Sequence, residues 1–309
     1  MRTAREAVAE LRELVVFHAI RGRRASRVAT HIASLDSAGP GAVCFSTAPT
    51  PALLEKLDAV GVAVLILSPM TPAAAWTGGM LLFITPRPRL AFAHMTGLFK
   101  RTELLGFVHP TAVIDPESFV APTAHVGALS YVGPGCVLRA GAVLHPRVTL
   151  VRYVSVGERS VIHAGATIGA DGYSYVREDD GTLVKIEHFG GVQIEADVEI
   201  GPNTNINGGT LDPTRILAGS KIDGMCHIGH NAQIGPHACV AAGTVMGRSA
   251  VKEGAWLGLN CTVLPGNDVE AGGTVAAHAL VSKPVPADTT VVGVPAKAIA
   301  RKRVGEVMW

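Results

Sequence analysis

The stretch Val126-Gly-Ala-Leu-Ser-Tyr-Val132-Gly-Pro-Gly-Cys-Val-Leu138-Arg-Ala-Gly-Ala-Val-Leu144 decides the fold. An aliphatic residue returns at every sixth position. The same step runs back through Val120, Ile114 and Val108, and forward through Leu150, Val156, Ile162 and Ile168. It resumes at Ile194, Ile200 and Ile206, shifts by four to run from Ile216 to Met246, and shifts again to run from Val251 to Val281. Across these frames 26 positions carry an aliphatic residue or Met. Gly often follows, as at Gly127, Gly133, Gly157, Gly201, Gly229 and Gly235.

A period of six fits neither an amphipathic helix nor a meander of hairpins. It is the hexapeptide signature of a parallel β-helix. Each unit is a short strand and a turn, with its aliphatic residue pointing into a narrow bore. Gly, Asn and Asp are expected at corners that need positive φ. Three units predict a coil of 18 residues, with coils stacked about 4.8 Å apart. A narrow bore excludes most rings, in keeping with only 8 Phe, 4 Tyr and 3 Trp in 309 residues.

Residues 172–193 break the frame and predict an excursion loop; the insertion near Asp212-Pro213 reads as a bulge. Residues 1–106 carry no hexapeptides and read as a small α/β domain. Its helices are expected over Ala4–His18, Pro51–Asp58 and Leu90–Lys100, and its strands over Val28–Ser34, Gly41–Ser46 and Ala59–Ser68. The β-helix is expected over 107–290, and a short strand with a basic tail over 291–309. The fold class is mainly β.

Composition excludes other classes. With 48% hydrophobic residues the chain is not disordered. A net charge of +2 gives no global attraction to nucleic acid or membrane. No apolar run approaches the roughly 20 residues of a membrane span, and the start MRTAREAVAELRE lacks a signal-peptide core. Cys44, Cys136, Cys226, Cys239 and Cys261 show no zinc spacing. They read as reduced thiols of a cytoplasmic protein.

Several motifs together carry a resemblance. Ala33-Ser-Leu-Asp-Ser-Ala-Gly-Pro-Gly41 is followed by Phe45. His109-Pro-Thr-Ala-Val-Ile-Asp-Pro116 enters the repeats. Ile168-Gly-Ala-Asp-Gly-Tyr173 and Val184-Lys-Ile186 lie in the loop, and Lys221-Ile-Asp-Gly-Met-Cys-His-Ile-Gly-His-Asn231 in a later coil. Jointly these resemble the UDP-3-O-acylglucosamine N-acyltransferase family of lipid A biosynthesis. The resemblance implies a left-handed β-helix and a homotrimer with sites between neighbouring helices. It implies acyl transfer from a thioester, on acyl carrier protein, to the amino group of a nucleotide-linked amino sugar. No bound cofactor or metal is implied.

It also implies that His230 is the general base. An amine must lose a proton as it attacks a thioester, and imidazole titrates near neutrality. Ile228 points inward, so His230 falls near the coil surface; the alternative is a corner residue satisfied by local hydrogen bonds. Gly247 and Arg248 lie one coil on, where a backbone N–H is expected to hold the thioester oxyanion. The Arg248 side chain is a departure from the family and fits a donor phosphate or a plain surface cation. Substrate contacts are expected from Phe45, Tyr173, Asp223, His227, Asn231 and Asn267. His237 and His278 are weaker candidates than His230, and His125, His145 and His163 read as decoration of outer faces.

Other departures point to different partners. Asn267 stands where the family has a second His, Asn207-Gly208 where it has Asp-Arg, and Pro51 where a second aromatic would complete a uracil sandwich with Phe45. The ending Val292-Gly-Val-Pro-Ala-Lys297 resembles acetyl-CoA-dependent sugar acetyltransferases, with Lys297 and Arg301 as candidate donor-binding cations. Acyl-CoA transfer to another amino sugar is therefore a second reading. A non-catalytic β-helical binding protein is a third.

Overall fold

The structure is a computed structural model that describes residues 2–15, 19–22, 27–69, 76–99 and 106–299. It divides into two compact units, Met1–Thr102 and Glu103–Trp309.

The first unit is a five-stranded sheet between helices. The strand order is Ala19–Arg21, Leu81–Ile84, Val64–Leu67, Ala42–Ser46, His31–Ile32; only the first pairing is antiparallel. Because side chains alternate across a strand, Val43, Val64, Ile66 and Phe83 meet helices Ala4–Leu14 and Pro88–Phe99 on one face. Cys44, Leu65, Leu67 and Leu82 meet helix Pro51–Ala59 on the other. Pro51 opens that helix, with the Thr50 hydroxyl accepting from the Leu53 N–H at 3.2 Å. This explains the missing aromatic: the position is a helix start, where proline's fixed φ fits. The strands Leu81–Ile84 and Ala19–Arg21 were not expected from the sequence. Leu81–Ile84 is a fully buried apolar run with no alternation to reveal its period, and Ala19–Arg21 is only three residues long.

The second unit is the left-handed parallel β-helix. Its three walls are sheets of ten, nine and seven strands, named here by their strand counts. Register confirms the 18-residue coil: Val126 pairs with Leu144, Val132 with Leu150 and Leu138 with Val156. The inward row from Val126 to Val281 is buried along its whole length, while Val108, Ile114 and Val120 at the first coil are less covered.

Gly, Asn and Asp take positive-φ corners as expected, among them Gly165, Asp197, Asn203 and Asn260, and the glycines that follow the aliphatic residue serve a second purpose. Those after the aliphatic residue have ordinary φ, except Gly169 after Ile168 at +86°; they are needed for close approach. A Cβ at Gly133 would lie 1.9 Å from the Val151 carbonyl oxygen of the next coil. Positive φ falls two residues later, at Gly135 and Gly141 but also at Leu129, Arg147 and Tyr153.

The coil opens after Ala170 and rejoins at Val192, which pairs with Val154. The excursion holds an antiparallel hairpin of Tyr175–Arg177 and Leu183–Lys185. The last coil strand, Thr290–Val292, is closed by antiparallel Lys297–Ile299.

Candidate functional site

His230 follows the strand His227–Ile228 and sits at the corner between the nine-stranded and seven-stranded walls. Three features fix its ring. The first is Gly172 at the root of the excursion. A Cβ there would lie 2.7 Å from His230 Cδ2, so only glycine lets the loop backbone pass over the imidazole. The second is His188, whose ring meets that of His230 edge-to-face at 5.3 Å between centroids.

The third is Asn231. Its Oδ1 lies 3.0 Å from His230 Nδ1. The amide orientation follows from its other bonds. Nδ2 donates to the Asp212 carbonyl at 2.7 Å, while Oδ1 accepts from the Thr210 N–H at 3.1 Å and the Thr210 hydroxyl at 2.9 Å. A carbonyl oxygen can only accept, so Nδ1 of His230 must be the protonated nitrogen. Nε2 then carries the lone pair, the arrangement a general base needs. Asn231 has φ 59°, a left-handed corner that Asn tolerates.

The insertion read as a bulge thus supports the His230 ring, because Thr210 and Asp212 hold Asn231. Its signal was the four-residue frame shift after Ile206. Asn231 was expected against substrate; in the structure its amide bonds His230, Thr210 and Asp212.

His230 opens on a cleft of about 460 Å³ along the nine-stranded wall, lined also by Tyr173, His227, Met246, Leu264 and Pro265. Its walls are mainly apolar. Gly247 and Arg248 line it too. The Gly247 N–H is committed to the Val263 carbonyl at 3.0 Å, whereas that of Arg248 makes no hydrogen bond within the described residues. Arg248 therefore supplies the available backbone donor. A polar string runs beside the cleft: Asn205 Nδ2 donates to His227 Nδ1 at 3.2 Å and to Asn207 Oδ1, and Asn207 Nδ2 donates to the Asp171 carbonyl at 2.7 Å.

Beneath the loop root lies a charged cluster that the sequence did not reveal. Asp171 takes hydrogen bonds from Arg152 and Lys185, and Lys185 also reaches Glu187 at 3.0 Å. Burial pushes the Asp171 carboxyl up, but the two cations outweigh it and hold the group below its usual range. His188 is 3% exposed, and neither ring nitrogen finds a hydrogen-bond partner among the described residues. Burial lowers its pKa, nearby Asp171 opposes this, and His230 adds to the lowering.

Other expected residues lie elsewhere. Asn267 turns its amide onto the Leu264 and Pro265 carbonyls of its own turn. Asp223 lines a different hollow, with Trp256 and Cys239 on the ten-stranded wall, and accepts from the Gly224 N–H. Phe45 belongs to the first unit and packs on Phe92 at 4.6 Å. Lys297 is exposed on the closing hairpin, and Arg301 lies outside the described residues. His145 and His163 stack at 4.8 Å, and His163 bonds Glu199. Among the described residues no His, Cys, Asp or Glu group is placed to hold a metal, and no helix is long and apolar enough to cross a membrane. Cys44, Cys136, Cys226 and Cys261 are buried and Cys239 is half-buried; burial pushes the Cys44 and Cys226 thiols up to about 11.

Comparison with known proteins adds four findings. Residues 213–248 match the family model described as bacterial transferase hexapeptide (six repeats). The chain is 36% identical over 232 residues to the UDP-3-O-acylglucosamine N-acyltransferase of Pseudomonas syringae pathovar tomato, covering 69% of this chain but 64% of that protein. It is 33% identical over 285 residues to the enzyme of the same name from Bordetella pertussis, covering 82% and 78%. A solved UDP-N-acetylglucosamine acyltransferase from Bacteroides fragilis shares the fold, with a TM-score of 0.58 at 20% identity over 62% of this chain and 74% of that one.

Proposed function

The chain belongs to the UDP-3-O-acylglucosamine N-acyltransferase family, and on that premise we propose that it transfers an acyl group from a thioester to the amino group of a nucleotide-linked amino sugar. The observation that carries the reading is the His230–Asn231 pair, which fixes an imidazole with a free Nε2 beside an apolar cleft.

In the proposed reaction the sugar amine attacks the thioester carbonyl carbon as Nε2 of His230 removes a proton from nitrogen. The oxyanion that forms is met by the Arg248 N–H. The C–S bond then breaks, the amide forms, and the proton on His230 passes to the departing thiolate. The products are an N-acylated sugar and a free thiol. The apolar cleft suits the donor's acyl or pantetheine portion. The active form is proposed to be a cytoplasmic homotrimer.

The donor is proposed to be acyl carrier protein, with acyl-CoA as a second reading. The closing hairpin favours the second, because it exposes Lys297 at the end of the Val-Pro-Ala-Lys motif. One assay tests both: purified protein, acyl-CoA or acyl carrier protein, and a panel of amino-sugar nucleotides, scored by thiol release. Expected is release that falls roughly 10²–10⁴-fold in kcat for His230→Ala. Unchanged kcat in that variant sinks the assignment of the base. No release with any pair supports a binding protein instead.

A further inference from the structure

The corner that carries His230 has two sides of opposite chemistry. On one is the apolar cleft. On the other is a polar pocket of about 600 Å³, whose lining includes Thr210, Asp212, Arg215, Asn231, Gln233 and Arg248. Arg248 lines both. The seven-stranded wall explains the rest. Ile216, Ile234 and Val251 point inward, so the preceding residues Arg215, Gln233 and Ala250 point outward in a ladder. Ala250 is the small rung, at the level of Arg248.

Most polar groups in this pocket are already committed. The Asn231 amide is used by Asp212, Thr210 and His230, and the Thr210 hydroxyl by Asn231. The Ser249 hydroxyl donates to the Leu264 carbonyl, and Asp268 Oδ1 accepts from the Ala250 N–H at 2.7 Å. The guanidiniums of Arg215 and Arg248 and the amide of Gln233 make no hydrogen bond or ion pair with any described residue. The Asp212 carboxylate and Oδ2 of Asp268 are the acidic acceptors left over among the described residues. Each guanidinium offers five N–H donors in a rigid fork, so the donors outnumber the acceptors left on Asp212, on Oδ2 of Asp268 and on Gln233. A tetrahedral oxyanion group supplies what the pocket lacks.

We propose that Arg215 and Arg248 form a phosphate subsite for one of the two substrates, with Arg248 as the ridge between that phosphate and the reacting centre at His230. The chemistry is shared by two sources: the diphosphate of the nucleotide sugar and the phosphate of the thioester donor. The subsite rests on the proposed acyl transfer only for the identity of the phosphate.

Equilibrium binding separates the two ideas. The full-length protein, Arg215→Gln, Arg248→Gln and the double variant are titrated with UDP, uridine, CoA and pantetheine. Expected is a loss of about 10-fold or more in each single variant for UDP or for CoA, with binding of its phosphate-free counterpart unchanged. Loss confined to UDP assigns the acceptor's phosphate; loss confined to CoA assigns the donor's. Equal losses for uridine or pantetheine, unchanged affinity in all variants, or no wild-type binding of either phosphate compound overturns the subsite. Arginine-dependent binding in a protein that releases no thiol leaves the subsite standing and removes the acyl-transfer reading.

Discussion

Nδ1 of His230 lies 3.0 Å from Oδ1 of Asn231, and that oxygen is fixed as oxygen because the amide nitrogen is spent on the Asp212 carbonyl. A neutral amide thus does for this imidazole what a carboxylate does in other His sites: it selects the tautomer without adding charge. Asn231→Ala removes the selection. The expected result is a fall in kcat of about 10- to 100-fold, part of the full value of a general base. Asn231→Asp keeps an acceptor and adds a negative charge. That favours the imidazolium, so the acidic limb of the pH–rate profile should move to higher pH. The two variants measured side by side decide it; a profile in Asn231→Asp that moves down or stays put contradicts the orienting role.

Gly172 passes over the same ring from the other side. A methyl group there would stand 2.7, 2.8 and 3.0 Å from Cδ2, Cβ and Cγ of His230. Real Cβ contacts are not that short, so the ring or the loop must shift. Displacements of this kind cost up to about 10²-fold in rate. Gly172→Ala is expected to lose at least about 10-fold in kcat while its thermal midpoint stays close to wild type. Full activity in this variant would mean that the loop root is free to move away from the base.

Coil stacking makes a separate prediction about stability. Ile162 is fully buried in the bore, paired with Leu144 below and Ile200 above. Hydrogen-bonded coils on both sides limit collapse around a deleted side chain. Ile162→Ala is therefore expected to cost about 2–5 kcal/mol, read from urea denaturation of the purified protein. A cost under about 1 kcal/mol would show that the bore relaxes around the gap.

What the sequence reveals follows from the length scale of each signal. The bore was legible because one residue type repeats every six positions over many coils, and register then follows from counting. His230 was legible because a motif surrounds it and Ile228 sets its phase. The bond from Asn231 to His230 was not legible because the frame puts Asn231 on a corner without saying which way its amide turns. Thr210, Asp212, Asp171 and His188 were missed because they lie in the interruptions, where no period constrains the side chain. Tertiary contact alone brings Asp171 to Arg152 and His188 to His230. Asp223 and Asn267 carried motif weight, but the first faces another wall and the second bonds its own turn.

His188 gives the fold a pH dependence of definite sign. Its ring is buried, its nitrogens have no hydrogen-bond partner among the described residues, and its pKa lies below the ordinary histidine value, chiefly through burial. A group that binds protons less readily when folded favours the unfolded chain as pH falls below its unfolded pKa of about 6.5. Stability should therefore decline from pH 7 toward pH 5. Asp171 does not confuse this window: its folded pKa is also depressed, from a carboxylate value, so it stays ionised there and its own stabilisation is lost only in stronger acid. His188→Gln has no proton to gain. Urea melts at intervals from pH 7.5 to 5.0 should show the gap between variant and wild type closing, or reversing, as the pH drops. The same gap at every pH would mean that His188 stays neutral in the unfolded chain as well, or is charged in both states, and that its burial carries no proton linkage.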